Sequence, residues 1–239
     1  MSKENIQGIY EKQFNFQLSK LTEISNYLLE SGFEKVSYSS PTVLTIYFST
    51  KDFQVPKSAY IRVRKYLSLP FGNKITLTKD EQLFLETKPK DLDERHKTRH
   101  HIIYEDLLRF FDGKNPNFNI ENKVFELLSH ELGTFALIPY VATQYERNHY
   151  VKDNTRITLD RDISAFGFFN SSKYIAQQID NDTESGKLEI KTDSNIFSLQ
   201  SEVSSWISNS VISPTPSGQS EKNIRKAYNK VLYENSSSI

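Results

Sequence analysis

The sequence predicts an α+β fold dominated by antiparallel strands, with amphipathic helices flanking them. Three observations carry that prediction. Short segments alternate apolar and polar side chains and are separated by turn residues. Glycines follow two helical stripes where a helix would end. The length, 239 residues, suits one sizeable core, so a single domain over 1–239 is expected, its core about 9–234.

The foremost strand is Ser58–Tyr66, with Tyr60, Arg62, Arg64 and Tyr66 on one face and Ile61 and Val63 on the other. From the N-terminus, Ile9–Gln17 alternates Tyr10, Lys12, Phe14 and Phe16 against Glu11, Gln13, Asn15 and Gln17. Leu18, Leu21, Ile24, Leu28 and Leu29 then recur at helical spacing up to Gly32. Val43–Thr50, rich in β-branched and aromatic residues, is the next strand. Past a turn at Pro70–Asn73, Ile75–Thr78 and Gln82–Lys88 read as a hairpin, with Phe84, Glu86 and Lys88 on one face. Arg95–Ile103 is basic and then apolar, and Tyr104, Leu107, Leu108 and Phe111 follow at helical spacing. Glu121–Leu132 is the strongest helix, capped by Gly133. Ala136–Arg147, Thr155–Ile163 and Gly186–Thr192 are strands, the last two separated by a loop of Ser, Asn and Asp. Ile196, Leu199, Val203, Trp206 and Ile207 form a helical stripe in which Trp206 is core. A linker, Ser213–Gly218, leads to a final basic helix holding Ile224, Tyr228, Val231 and Leu232.

Composition narrows the chemistry. Lys+Arg and Asp+Glu are both 30, so no global field draws nucleic acid or a membrane, and an anion site must come from local sorting of charge. The absence of cysteine removes disulfides, thiolate metal sites and cysteine nucleophiles. No N-terminal apolar region or long apolar run is present, so a soluble, cytoplasmic protein with no membrane span in this chain is expected. No Walker-type loop or Gly-x-Ser-x-Gly motif appears. His96, His100 and His101 read as part of a basic strand and its turn rather than as a metal site.

Six strands set a cation on their polar face: Arg62/Arg64, Glu86/Lys88, Lys97/Arg99, Tyr145/Arg147, Arg156/Asp160 and Glu189/Lys191. On one strand alone this is an ordinary solvated face. For the set, arginine is favoured over lysine on several strands, as suits bidentate grip on phosphate. Tyr60, Tyr66, Tyr145 and Thr158 are donors that suit an enclosed interior. If the sheet closes on itself, roughly six to eight cations and few acids would line a lumen that is untenable when empty and binds polyanions strongly. Glu86, Glu189 and Glu11 would then serve as oxygen ligands for Mg²⁺ or Mn²⁺ bridging the phosphates.

In this order, Tyr47–Thr50, Ile61–Tyr66, Phe84–Lys88, Lys97–Arg99, Tyr145–Arg147, Arg156–Asp160 and Leu188–Lys191 resemble the VTC domain. That domain is the polyphosphate-polymerase branch of the triphosphate tunnel metalloenzymes, or CYTH-like superfamily. The resemblance spans roughly Tyr10 to Tyr228. It implies an eight-stranded antiparallel β-barrel with flanking helices that takes ATP and grows polyphosphate with Mn²⁺ or Mg²⁺. By the same resemblance the catalytic cations are Arg62, Arg64, Lys88, Arg147, Arg156 and Lys191. Lys97, Arg99, Tyr145, Glu86, Gln13 and Lys222 contact substrate, and Glu189 and Glu11 hold the metal. Gln13 stands where the family places a lysine on its first strand, with Lys12 on the opposite face unless a bulge shifts the register. Ser49 replaces the acid of a Tyr-Phe-Asp-Thr-like motif, and the late Ser-Lys-Tyr motif has only Lys222, Arg225 and Lys226 as counterparts. Two alternatives stay open. Tunnel hydrolases carry a Glu-x-Glu-x-Lys first strand, where this chain has Glu11-x-Gln13-x-Asn15. A non-catalytic binder of polyphosphate or nucleotide would tolerate Gln13. Nucleic-acid binding is disfavoured by the zero net charge and the lack of a basic tail.

Overall fold

The period-two alternation of β1 (Tyr10–Gln17) gives a strand with two unlike faces, and its neighbours repeat it. The computed structural model describes residues 10–50, 59–76, 83–89, 98–103, 105, 137–168, 175–192, 205–206, 209, 211–214 and 229. After a 3-10 turn at Leu18–Lys20 comes α1 (Leu21–Glu30). Then follow β2 (Glu34–Val36), β3 (Thr42–Thr50), β4 (Ala59–Leu67), β5 (Lys74–Thr76), β6 (Leu83–Pro89) and β7 (Thr98–Ile102). The rest are β8 (Leu137–Lys152), β9 (Thr155–Gly167), β10 (Ile175–Asp182), β11 (Ser185–Thr192) and β12 (Ile212–Pro214). They form one antiparallel sheet whose path is β12-β1-β11-β9-β8-β3-β4-β6-β7, with β2 paired to β8 and β10 joining β9 to β5. Among the described residues no ladder joins β12 to β7, so the closed eight-stranded barrel is not formed by hydrogen bonds there.

The apolar core covers one face of the sheet. Phe14 and Phe16 of β1, Ile157 and Leu159 of β9, and Leu188 and Ile190 of β11 are buried against Ile24 and Leu28 of α1. Trp206 closes the cluster, its ring edge-on to Tyr27 with centroids 4.9 Å apart, in keeping with the expected core tryptophan. Leu29, expected on the stripe, is 48% exposed, because Ile24 and Leu28 centre the buried face on the other side. Gly32 (φ 84°) supplies the left-handed residue that ends α1. It lets the Phe33 N–H donate to the Leu28 carbonyl at 2.9 Å and turns Phe33 into the core.

Several expectations are corrected. β8 runs to Lys152, past Arg147, anchored by the buried Tyr150, and turns into β9 through Asp153 (φ 48°) and Asn154. β10 occupies the middle of what reads as a polar loop; a strand with few apolar side chains is stable here because β9 and β5 pair its edges. Among the described residues β5 pairs with β10 and not with β6, so the expected hairpin is not seen there: Ile75 is fully buried opposite Ala176. Ser213–Pro214, read as linker, lies in β12 along the outer edge of β1, where a proline is tolerated. The expected helix at 121–132, the final basic helix and most of the 196–207 stripe fall outside the described residues.

Gly186 is required by close packing. It lies directly opposite Phe16, and a Cβ there would collide with three carbons of the Phe16 ring. Gly186→Ala is expected to cost about 1–3 kcal/mol through overpacking. Urea denaturation followed by circular dichroism checks it, and an unchanged midpoint would show that the ring can move aside.

Candidate functional site

The opposite face of the sheet is largely polar, with Val43 and Phe84 as apolar exceptions. Directly opposed residues in an antiparallel ladder share a face, so the registers define a row across each pair of strands. Gln13 opposes Glu189, which opposes Thr158, which opposes His149. Asn15, Lys187, Asp160 and Arg147 form the next row, and Glu11, Lys191 and Arg156 the one before. Across β3, Arg64 opposes Thr45 and Arg62 opposes Tyr47; farther on, Arg62, Glu86 and Arg99 align. Eight successive strands, β1 through β7 along the path, thus contribute to one polar face. The β1–β11 register has no shift, so Gln13 does take the expected face while Lys12 opposes Ile190 on the other.

Two ion-pair clusters organise this face. In the first, Glu86, 1% exposed, receives Arg62 Nε at 2.8 Å, Arg64 Nη1 at 3.4 Å and Arg99 Nη2 at 2.6 Å. Arg99 also donates to the Tyr66 hydroxyl at 2.9 Å and lies over the Phe84 ring. Burial would lower the Arg64 pKa, but Tyr145, Glu86 and Tyr66 outweigh it and the group stays cationic. In the second, Arg147 grips Asp160 with two bonds, Nε at 2.5 Å and Nη2 at 2.7 Å, while stacking on Tyr145. Burial raises the Tyr145 pKa against the pull of Arg147 and Arg64, which keeps the phenol a donor. Gln13 Nε2 bridges two carboxylates, Glu11 at 2.8 Å and Glu189 at 3.1 Å. Lys191 Nζ sits 2.7 Å from Glu11 and 3.8 Å from Glu189. Burial would raise the Glu189 pKa, yet Arg147, Lys191 and Arg156 pull it down to about 2, so it is ionised.

The expected lumen of largely unopposed cations is therefore corrected: acids interleave with arginines and lysines and neutralise much of their charge. Glu86, named above among possible metal ligands, is ringed by guanidiniums that would repel a divalent cation. Glu11 and Glu189 are better suited. Among the described residues no three ligating side chains cluster, so the chain offers this carboxylate pair. Mg²⁺ and Mn²⁺ accept such a pair when phosphate and water supply the remaining oxygens. The donor set fits, provided Lys191 swings aside.

Among the described residues, two buried atoms on this face have no partner: Arg156 Nε and the hydroxyl of Thr158, which is 1% exposed. Such atoms are costly unless something binds them. Of the residues singled out from sequence, Arg62, Arg64, Glu86 and Arg99 fall in the first cluster. Glu11, Gln13, Tyr145, Arg147, Arg156, Glu189 and Lys191 fall in and around the second. Lys97 and Lys222 lie outside the described residues; Lys88 lies on β6 opposite Tyr60, its side chain outside them. Sequence reasoning missed Lys187 and His149. Lys187 shares the phase of Glu189 and Lys191, a signal that was available. His149 was lost with the early end assigned to its strand.

The chain matches the family model described as VTC domain over residues 9–218. No curated protein matches it in sequence. Among solved structures it is similar to a candidate adenylate cyclase from Bacillus halodurans, at 13% identity over 88% of this chain and 95% of that one, TM-score 0.50. It is also similar to a candidate adenylate cyclase from Vibrio parahaemolyticus, at 11% identity over 90% and 98% of the two chains, TM-score 0.44. A conserved hypothetical protein from Pyrococcus furiosus shares 15% identity over 87% and 98%, TM-score 0.40. At these identities the likeness concerns the fold alone, and only the first is close enough to carry weight.

Proposed function

The chain belongs to the VTC domain family, and from that membership we propose that it is an ATP-dependent polyphosphate polymerase whose polar face lines a triphosphate tunnel. The observation that supports this best is one polar face to which β11, β9, β8, β4 and β7 each bring cations, with buried Arg156 and Thr158 atoms that have no partner among the described residues. In this reading a terminal oxygen of the polyphosphate chain attacks the γ-phosphorus of ATP. The bond from that phosphorus to the β–γ bridging oxygen breaks, ADP leaves, and the chain is one phosphate longer. No protein nucleophile is needed, because phosphoryl transfer is helped mainly by positioning and by cations around the transferring group. Arg62, Arg64 and Arg99 hold the nucleotide-side phosphates, and Arg147, Arg156, Lys187 and Lys191 hold the transferring and accepting groups. Lys88, Lys97 and Lys222 are proposed to line the same path, and the single domain extends over 1–239. Tyr145 donates a hydrogen bond. A bound Mn²⁺ or Mg²⁺, held by Glu189 and Glu11, would neutralise phosphate charge and fix the phosphates in line.

Incubation with ATP and Mn²⁺, with products separated by size, tests the proposal. Long phosphate chains with ADP are expected. Orthophosphate with ADP alone would reassign the protein as a tunnel hydrolase. Tight tripolyphosphate binding without turnover would leave a binding module, which Gln13 in place of a lysine favours. The absence of both turnover and binding would overturn the polyanion site itself.

A further inference from the structure

The first cluster resembles a loaded anion site in which the anion belongs to the protein. Three arginines from two strands, Arg62 and Arg64 of β4 and Arg99 of β7, converge on one carboxylate of β6 that is almost fully shielded from solvent. Two of the arginines are far more open: the Arg62 and Arg99 side chains are 26% and 34% exposed, while Arg64 is buried beside Glu86. Each guanidinium has five N–H donors, and a carboxylate has about four lone-pair sites for all three. Glu86 therefore offsets one of the three positive charges and cannot engage every donor, which leaves N–H groups for an incoming anion. We infer that Glu86 is a built-in counter-anion that stands in for a phosphate, so that polyphosphate binds here by drawing the arginines partly away from Glu86.

The inference rests on the proposed polyphosphate reading and adds a control on affinity. Without Glu86 the empty site would hold three mutually repelling cations. With it, the ligand competes against an internal anion, which weakens binding and eases release along the chain. Glu86 is on this account a positioning and specificity residue and need not touch the reacting atoms. Its buried position explains why the carboxylate does not simply repel the ligand: the guanidiniums lie between the two.

The test is binding of sodium tripolyphosphate to the full chain, by calorimetry over a range of salt concentrations, for wild type, Glu86→Gln and Glu86→Asp. Glu86→Gln is expected to bind at least tenfold more tightly, with a steeper fall of affinity with salt. Cations freed from Glu86 would gather solution anions that tripolyphosphate must release, by the logic of counterion release. A merely structural role would not steepen that dependence. Glu86→Asp keeps the charge on a shorter stem and is expected to fall between the two, which preserves the test should Glu86→Gln fail to fold alone. Unchanged or weaker binding by either variant overturns the inference. Absence of binding by the wild type would instead overturn the polyphosphate reading on which it rests.

Discussion

Asp160→Ala is expected to destabilise the protein by about 3–5 kcal/mol, the usual cost of stranding one member of a buried ion pair. Asp160 is 4% exposed and receives both Nε and Nη2 of Arg147. Lys187 lies opposite Asp160 as well, and its pKa is lowered by burial against the favourable pull of that carboxylate. Truncation would therefore leave two cations facing each other across β9, with Glu189 as a more distant counterweight. The pair itself need not be a large source of stability. Removing both members with Arg147→Met and Asp160→Leu should cost less than Asp160→Ala, since desolvation of the pair offsets most of its attraction and Lys187 keeps Glu189 and Glu11 as partners. Urea denaturation of wild type, single and double variants measures the difference. A single variant within about 1 kcal/mol of wild type would sink the idea that Arg147 depends on Asp160. Tripolyphosphate, if it binds Arg147, should recover more of the loss in the single variant than in the double.

This pair also shows where sequence reasoning reaches and where it stops. Period-two alternation correctly assigned Arg62, Arg64, Arg147, Arg156, Glu189 and Lys191 to one face, because a strand's geometry permits only two phases. It could not say which charge meets which. Arg147 faces Asp160 rather than its neighbour Arg161 only because β8 and β9 change register by one residue between Gln144 and Glu146. The Glu86 cluster needs β4, β6 and β7 side by side, an order that no local pattern encodes. β10 was misread for a related reason: its strand conformation comes from two neighbours, β9 and β5, and hardly from its own residues.

His149 makes the stability of this protein sensitive to acid well above the carboxylate range. It sits on the polar face opposite Thr158, its ring 4.7 Å from that of Tyr38, near Arg147 on its own strand, Arg156 on β9 and Glu189 on β11. Burial, then Arg147 and Arg156, push its pKa down to about 3, with only Glu189 pulling the other way. An unfolded histidine titrates near 6.5. Between those values the unfolded chain takes up a proton that the folded chain refuses, so stability rises with pH across the window. His149's contribution is complete above about pH 6.5 and is lost toward pH 3, with a limiting slope of about 1.4 kcal/mol per pH unit. Wild type is thus expected to lose about 2 kcal/mol between about pH 7 and pH 5, and about 3 by pH 4, relative to His149→Asn. Urea midpoints of both proteins across that range provide the measurement, and parallel curves would show that the imidazole protonates freely in the folded state. A polyanion bound beside Arg147 and Arg156 would offset the two charges that suppress this proton. Saturating tripolyphosphate should therefore raise the folded-state pKa and flatten the wild-type curve toward that of the variant. A surface-bound polyanion, remote from His149, would stabilise both proteins and leave the slope between them unchanged.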